Sequence, residues 1–120
     1  MPKQRICIVG DGLSGLMTAV VLAKVPGLEV DLIAEKSIKN ADKRTTAISE
    51  TNYKYINQNI TSLGQKMFWP SKKIELFYET SKENINFLNL NEANSNLMYV
   101  FENDKVKSVL LKEISKNKLN

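Results

Sequence analysis

Arg5-Ile6-Cys7-Ile8-Val9-Gly10-Asp11-Gly12-Leu13-Ser14-Gly15 divides into two halves of different periodicity. The first half is a short β-branched run that ends in glycine, the pattern of a buried strand apolar on both faces. The second half fits G-x-G-x-x-G and opens a segment with Leu16, Ala19, Val20 and Ala23 at helical spacing. A helix is therefore expected over residues 13–25, stopped by Pro26-Gly27. Residues 28–34, Leu-Glu-Val-Asp-Leu-Ile-Ala, read as a second strand. The unit is β-α-β, which implies a right-handed crossover and a parallel pair.

Each glycine has a task in such a unit. Gly10 allows the tight turn out of the strand, Gly12 lets the backbone approach a pyrophosphate, and Gly15 lets the helix pack closely on the strand. The free N–H groups at the helix start, around Leu13 and Ser14, and the positive end of the helix dipole then face the phosphates. Asp11 places a carboxylate beside this cradle and is expected to point outward. An acid about twenty residues past the third glycine would hydrogen-bond an adenosine ribose. Glu35 stands twenty residues beyond Gly15.

Further along, residues 36–44 are polar and Lys-rich and read as a loop, and residues 45–59 as a helix, with Ala47 and Ile48, then Tyr55 and Ile56, on one side. Leu63 to Pro70 reads as a turn region. Residues 73–79 and 84–90 look like two antiparallel strands, followed by a short extended piece from Leu97 to Phe101. A last helix is expected from Asn103 as N-cap, with Asp104 in its first turn and Val106, Val109, Leu110, Glu113 and Ile114 on one face. Phe68, Trp69, Phe77, Tyr78 and Phe87 read mainly as core, with the lining of an apolar ligand pocket as the alternative. Two parallel strands do not make a stable doubly wound sheet. The chain is accordingly expected to be the N-terminal part of a longer protein, or to depend on a partner for further strands.

Composition narrows the classes. Of 120 residues, 42% are hydrophobic and the net charge is +4. Lys and Arg number eight against six Asp and Glu over residues 1–60, and nine against seven over residues 61–120. With no basic arm or stripe, no nucleic-acid partner is expected. There is no histidine, which excludes Ser-His-Asp and Cys-His catalysis and any His-based metal site in this segment. Cys7 is the single cysteine, read as a small core residue, and the cytoplasm is the default compartment. Neither a signal peptide nor an apolar run of membrane-spanning length is present.

Asp42-Lys43-Arg44-Thr45-Thr46-Ala47-Ile48-Ser49 resembles the D-x-R-x-x-A-[LI]-[SL] stretch of the FAD-dependent hydroxylases of ubiquinone biosynthesis, flavoproteins of para-hydroxybenzoate hydroxylase-like fold. Leu63, Gly64 and Trp69, and then Met98-Tyr99-Val100-Phe101-Glu102-Asn103, are similar to further stretches of that family in the same order. Met98 stands where the family has Gly, and Ala34 takes the slot of the ribose acid, with Glu35 one later. The resemblance implies an α/β chain that forms the N-terminal part of a Rossmann-like FAD-binding fold. Residues 1–65 would form the dinucleotide-binding β-α-β and the following helix, 70–101 the start of an antiparallel substrate-domain sheet, and 103–117 a helix returning to the FAD domain. It further implies a whole enzyme of roughly three times this length. That enzyme would be an FAD-dependent monooxygenase using NAD(P)H and O₂ to hydroxylate a polyprenylated phenol, in the cytoplasm or at the inner face of the membrane, within reach of a biosynthetic complex. Arg44 would lie near the FAD ribityl and pyrophosphate; on physics alone it pairs with Asp42 at a helix start. Gly10, Gly12, Leu13, Ser14, Gly15, Glu35 and Arg44 are thus the expected cofactor-binding residues. The alternatives are another FAD-dependent oxidoreductase of the same fold, or a non-catalytic nucleotide-binding module.

Overall fold

The computed structural model describes residues 2–35 and 41–116. Along the chain run β1 (Gln4–Val9), α1 (Leu13–Ala23), β2 (Leu28–Ile33), β3 (Thr45–Ser49), α2 (Glu50–Tyr55), β4 (Phe68–Ser71), β5 (Lys73–Glu79), β6 (Asn84–Asn91), β7 (Met98–Glu102) and α3 (Asn103–Lys116). A π-helical turn, Ile56–Ile60, continues α2, and a 3-10 turn, Gln65–Met67, precedes β4. The chain is mixed α/β, with its strands in three small sheets.

β1 and β2 pair in parallel, Gln4 opposite Leu28 and Val9 opposite Ile33, with α1 as the crossover. The expected β-α-β unit is present, with α1 two residues shorter and β2 one residue shorter than the periodicity indicates. The two-sided burial is not. Ile6 and Ile8 are half-buried, whereas Arg5, Cys7 and Val9 are exposed, Val9 at 81%. Only one face of this two-stranded sheet is covered by a helix, so the other is open among the described residues. That corrects the reading of Cys7 as a core residue.

The second sheet corrects the expected helix over residues 45–59. Its first five residues are β3, and α-helix starts only at Glu50. β3 and β4 both pair antiparallel with β7 in the order β3-β7-β4, with Thr46 and Phe68 each opposite Phe101. β4 occupies ground read as a turn. The Ser49 hydroxyl accepts the Asn52 N–H at 3.2 Å and so caps α2.

α3 lies against α1 and packs on β7, while α1 packs on β2 and on the π-helical turn. Leu16, Val20, Ile56, Ile60, Leu63, Phe68, Phe101, Val106 and Leu110 form one buried cluster. Val109 and Ile114 flank it, as the expected apolar face of α3 requires. Aromatic rings line the α2 side: Tyr53 stacks on Tyr99 at 3.9 Å, and Phe68 meets Phe101 edge-on at 5.5 Å.

β5 and β6 form the expected antiparallel hairpin, with a register shift between Leu76 and Phe77. Its residues are exposed almost throughout. Of the five aromatics read as core, Phe68 alone is buried. Trp69 on β4 is exposed, and so are Phe77, Tyr78 and Phe87, the last at 62%, because no described element covers the hairpin that carries these three. Among the described residues no helix is long and apolar enough to cross a membrane. The loop read over residues 36–44 falls partly on residues 36–40, and the end of the last helix on residue 117; both lie outside the described residues.

Candidate functional site

Gly10 leaves β1 at φ 112°, a conformation that side-chain-bearing residues rarely adopt, and its N–H donates to the Ile33 carbonyl at 2.8 Å. The chain turns at once into α1, whose N-cap is Gly12. A Cβ on Gly15 would lie 2.3 Å from the Gly10 carbonyl oxygen, so only glycine lets α1 approach the strand end this closely. Gly12 differs from both. Its φ of −68° suits any residue, and a Cβ there would meet nothing within 4 Å. Among the described residues no contact requires a glycine at that position. No side chain caps α1 and no acid occupies its first turn, so the first N–H groups of the helix remain available to an external acceptor.

A cleft of ≈ 390 Å³ opens at this helix start, lined by Asp11, Gly12, Leu13, Ser14, Asp42, Arg44, Asn103 and Lys107. Three separate parts of the chain meet there: the turn into α1, the segment before β3, and the first turns of α3. Arg44 precedes β3 rather than starting a helix. Its Nε and Nη2 donate to the two Asp42 carboxylate oxygens at 2.8 and 2.9 Å, and its backbone N–H donates to Asp42 Oδ1 at 3.0 Å. The Arg44 side-chain hydrogen bond, helped by its backbone N–H, holds the Asp42 carboxyl well below the usual carboxylate range; reciprocally, Asp42 raises the guanidinium further. Arg44 thus pairs with Asp42, as expected on physics alone, and also lines the cleft.

Asn103 anchors this arrangement. It is buried, donates from Nδ2 to Asp42 Oδ2 at 3.3 Å, accepts from the Thr46 hydroxyl at 2.6 Å, and donates its N–H to the Arg44 carbonyl at 3.1 Å. This side chain ties β3 and the Arg44 segment to α3 rather than capping the helix it begins, which corrects the N-cap reading. Asp11 is corrected too. It lines the cleft, half-exposed, with Lys107 Nζ at 3.4 Å from Oδ2.

Of the expected cofactor residues, Gly12, Leu13, Ser14 and Arg44 share the cleft, while Gly10 and Gly15 shape the turn beneath it. Glu35 is exposed two residues past β2 and is not among the lining residues. Asp42 and Asn103 were visible in the sequence only as a pairing partner and a cap. Lys107 carried no signal, being 96 residues from Asp11 and outside any motif.

No family profile and no curated protein matches the chain. Solved structures do. The native crystal structure of FqzB is similar over 100% of this chain at 15% identity and a TM-score of 0.65. A second FqzB structure is similar over 98% of the chain at 14% identity and a TM-score of 0.58. At these identities the likeness concerns the fold alone. This chain spans 29% of the length of either FqzB chain.

Proposed function

We propose that the chain is the N-terminal, FAD-binding part of a flavin-dependent monooxygenase that hydroxylates a polyprenylated phenol in ubiquinone biosynthesis. On this reading β1-α1-β2 belongs to a Rossmann-like, para-hydroxybenzoate hydroxylase-like FAD domain, and the β5-β6 hairpin begins its substrate-domain sheet. The enzyme works in the cytoplasm or at the inner face of the membrane. The observation that carries the reading is the meeting of Arg44 with the open start of α1 across one cleft, beside a glycine that no contact among the described residues requires.

The residues present fit the ADP half of FAD. Backbone N–H groups at Leu13 and Ser14 would receive the diphosphate, Gly12 would leave it room, and Arg44 would present its remaining guanidinium donors. Arg44 is held in place by Asp42 and Asn103, so little side-chain freedom is lost on binding. Bound FAD would supply the redox chemistry with NAD(P)H and O₂, and the protein's part is binding and orientation. The hydroxylase assignment itself rests on the Asp42–Ser49 and Met98–Asn103 resemblances. A different FAD-dependent oxidoreductase of the same fold would use the same cleft.

Titration of the chain with FAD tests the site. FAD is expected to bind and ADP to compete with it, while FMN, which lacks the adenosine, does not compete. No FAD binding, or equal competition by FMN and ADP, would overturn the ADP-half assignment.

A further inference from the structure

The two cations of the cleft are held very differently. Arg44 is locked by two side-chain hydrogen bonds of 2.8 and 2.9 Å to a carboxylate that also accepts from its own backbone N–H and from the buried Asn103. Among the described residues Lys107 has a single polar contact, 3.4 Å to Asp11 Oδ2, longer than the usual N–H···O range of about 2.7–3.2 Å. Both members of that pair are about one-third exposed, Lys107 at 34% and Asp11 at 37%. The four charged side chains lining the cleft, Asp11, Asp42, Arg44 and Lys107, sum to zero. Among the described residues an entering diphosphate therefore meets no net side-chain charge until one acid yields its cation. Only Lys107 can do so readily, because it is a point charge on a flexible stem rather than a locked planar fork.

We propose that Lys107 is an exchangeable counter-ion that moves from Asp11 to the diphosphate of an ADP-bearing ligand, with Asp11 the internal competitor that sets the affinity. The proposal rests on the ADP-half reading above and adds to it two residues outside the glycine positions, one of them from a distant helix. The exchange leaves Asp11 beside the ligand without its full counter-charge. Asp11 thus opposes binding twice, by holding Lys107 back and by repelling phosphate.

Calorimetric titration with ADP of the wild-type chain, Asp11→Asn, Lys107→Met and the double variant tests this, with circular dichroism to show that each is folded. Losing one charge-assisted hydrogen bond should weaken ADP binding about tenfold in Lys107→Met. Asp11→Asn should tighten it by about the same factor, since repulsion goes and Lys107 is released. Removing Lys107 should cost more affinity when Asp11→Asn is already present than in wild type, because the lysine then no longer has to leave a carboxylate to reach the diphosphate. Asp11→Asn hardly changes side-chain volume and keeps the test decisive should Lys107→Met not fold. Lys107→Met binding ADP like wild type, or Asp11→Asn binding it more weakly, overturns the exchange while leaving the diphosphate site intact. A wild-type chain that takes up neither ADP nor FAD overturns both.

Discussion

Gly15 and Gly12 differ in what a methyl group would meet, and that difference separates folding from binding. At Gly15 a Cβ lands on the Gly10 carbonyl. Gly15→Ala should therefore lower unfolding stability by about 1–3 kcal/mol, the usual range for a forced fit in packed structure, as read from urea denaturation. At Gly12 the space is open and φ is ordinary. Gly12→Ala should leave stability within about 1 kcal/mol of wild type, since the gain through the unfolded chain is offset by poorer capping of α1, while weakening FAD binding. Asp42 adds a pH signature. Its carboxyl is held low by Arg44, so its contribution to stability is complete above the unfolded value of about 4 and is lost as pH falls below that value. The stability difference between wild type and Asp42→Asn should accordingly shrink as pH is lowered from about 5 to 2 in acid-denaturation profiles. The motif glycines were legible in the sequence because their constraints are local. Asp11 was misread because its partner sits on another helix.

Elements whose partners are near in sequence were read well, and those paired at a distance were not. β1, α1 and β2 are neighbours in chain order and carry clear periodicity. The hairpin strands are joined by a short turn and were equally plain. β3 was read as helix because Ala47-Ile48 and Tyr55-Ile56 fall at helical spacing, whereas its strand state depends on β7, with Thr45 opposite Glu102 and Ser49 opposite Met98. One local signal did point to the boundary. Ser49, followed by Glu50 and accepting the Asn52 N–H, marks a helix start and places α2 after a strand. The α1–α3 contact, which brings Lys107 to the cleft, rests on Leu16, Val20, Val106 and Leu110, all fully buried. Leu110→Ala should cost about 2–5 kcal/mol in urea denaturation, a large share of the stability of a domain this small.

At the scale of the whole molecule the chain is extended. Its radius of gyration is 18.4 Å, against about 13.6 Å for a compact chain of this length. The hairpin is poorly covered among the described residues, with Phe77 and Phe87 both more than half exposed. Phe77→Ser combined with Phe87→Ser should change unfolding stability by no more than about 0.5 kcal/mol per site. The same change should raise the concentration at which the chain begins to self-associate in light scattering, since exposed apolar patches drive association.

The Asn103 tie also fixes a sequence of events during synthesis. Asp42 and Asn103 are 61 residues apart, so the glycine turn can form on the emerging chain well before the residue that seats Arg44 has been made. At ~5–20 residues per second the interval is roughly 3–12 s. A nascent chain in that window would hold a finished turn and an unanchored arginine, and the cleft would be complete only after α3 has left the ribosome.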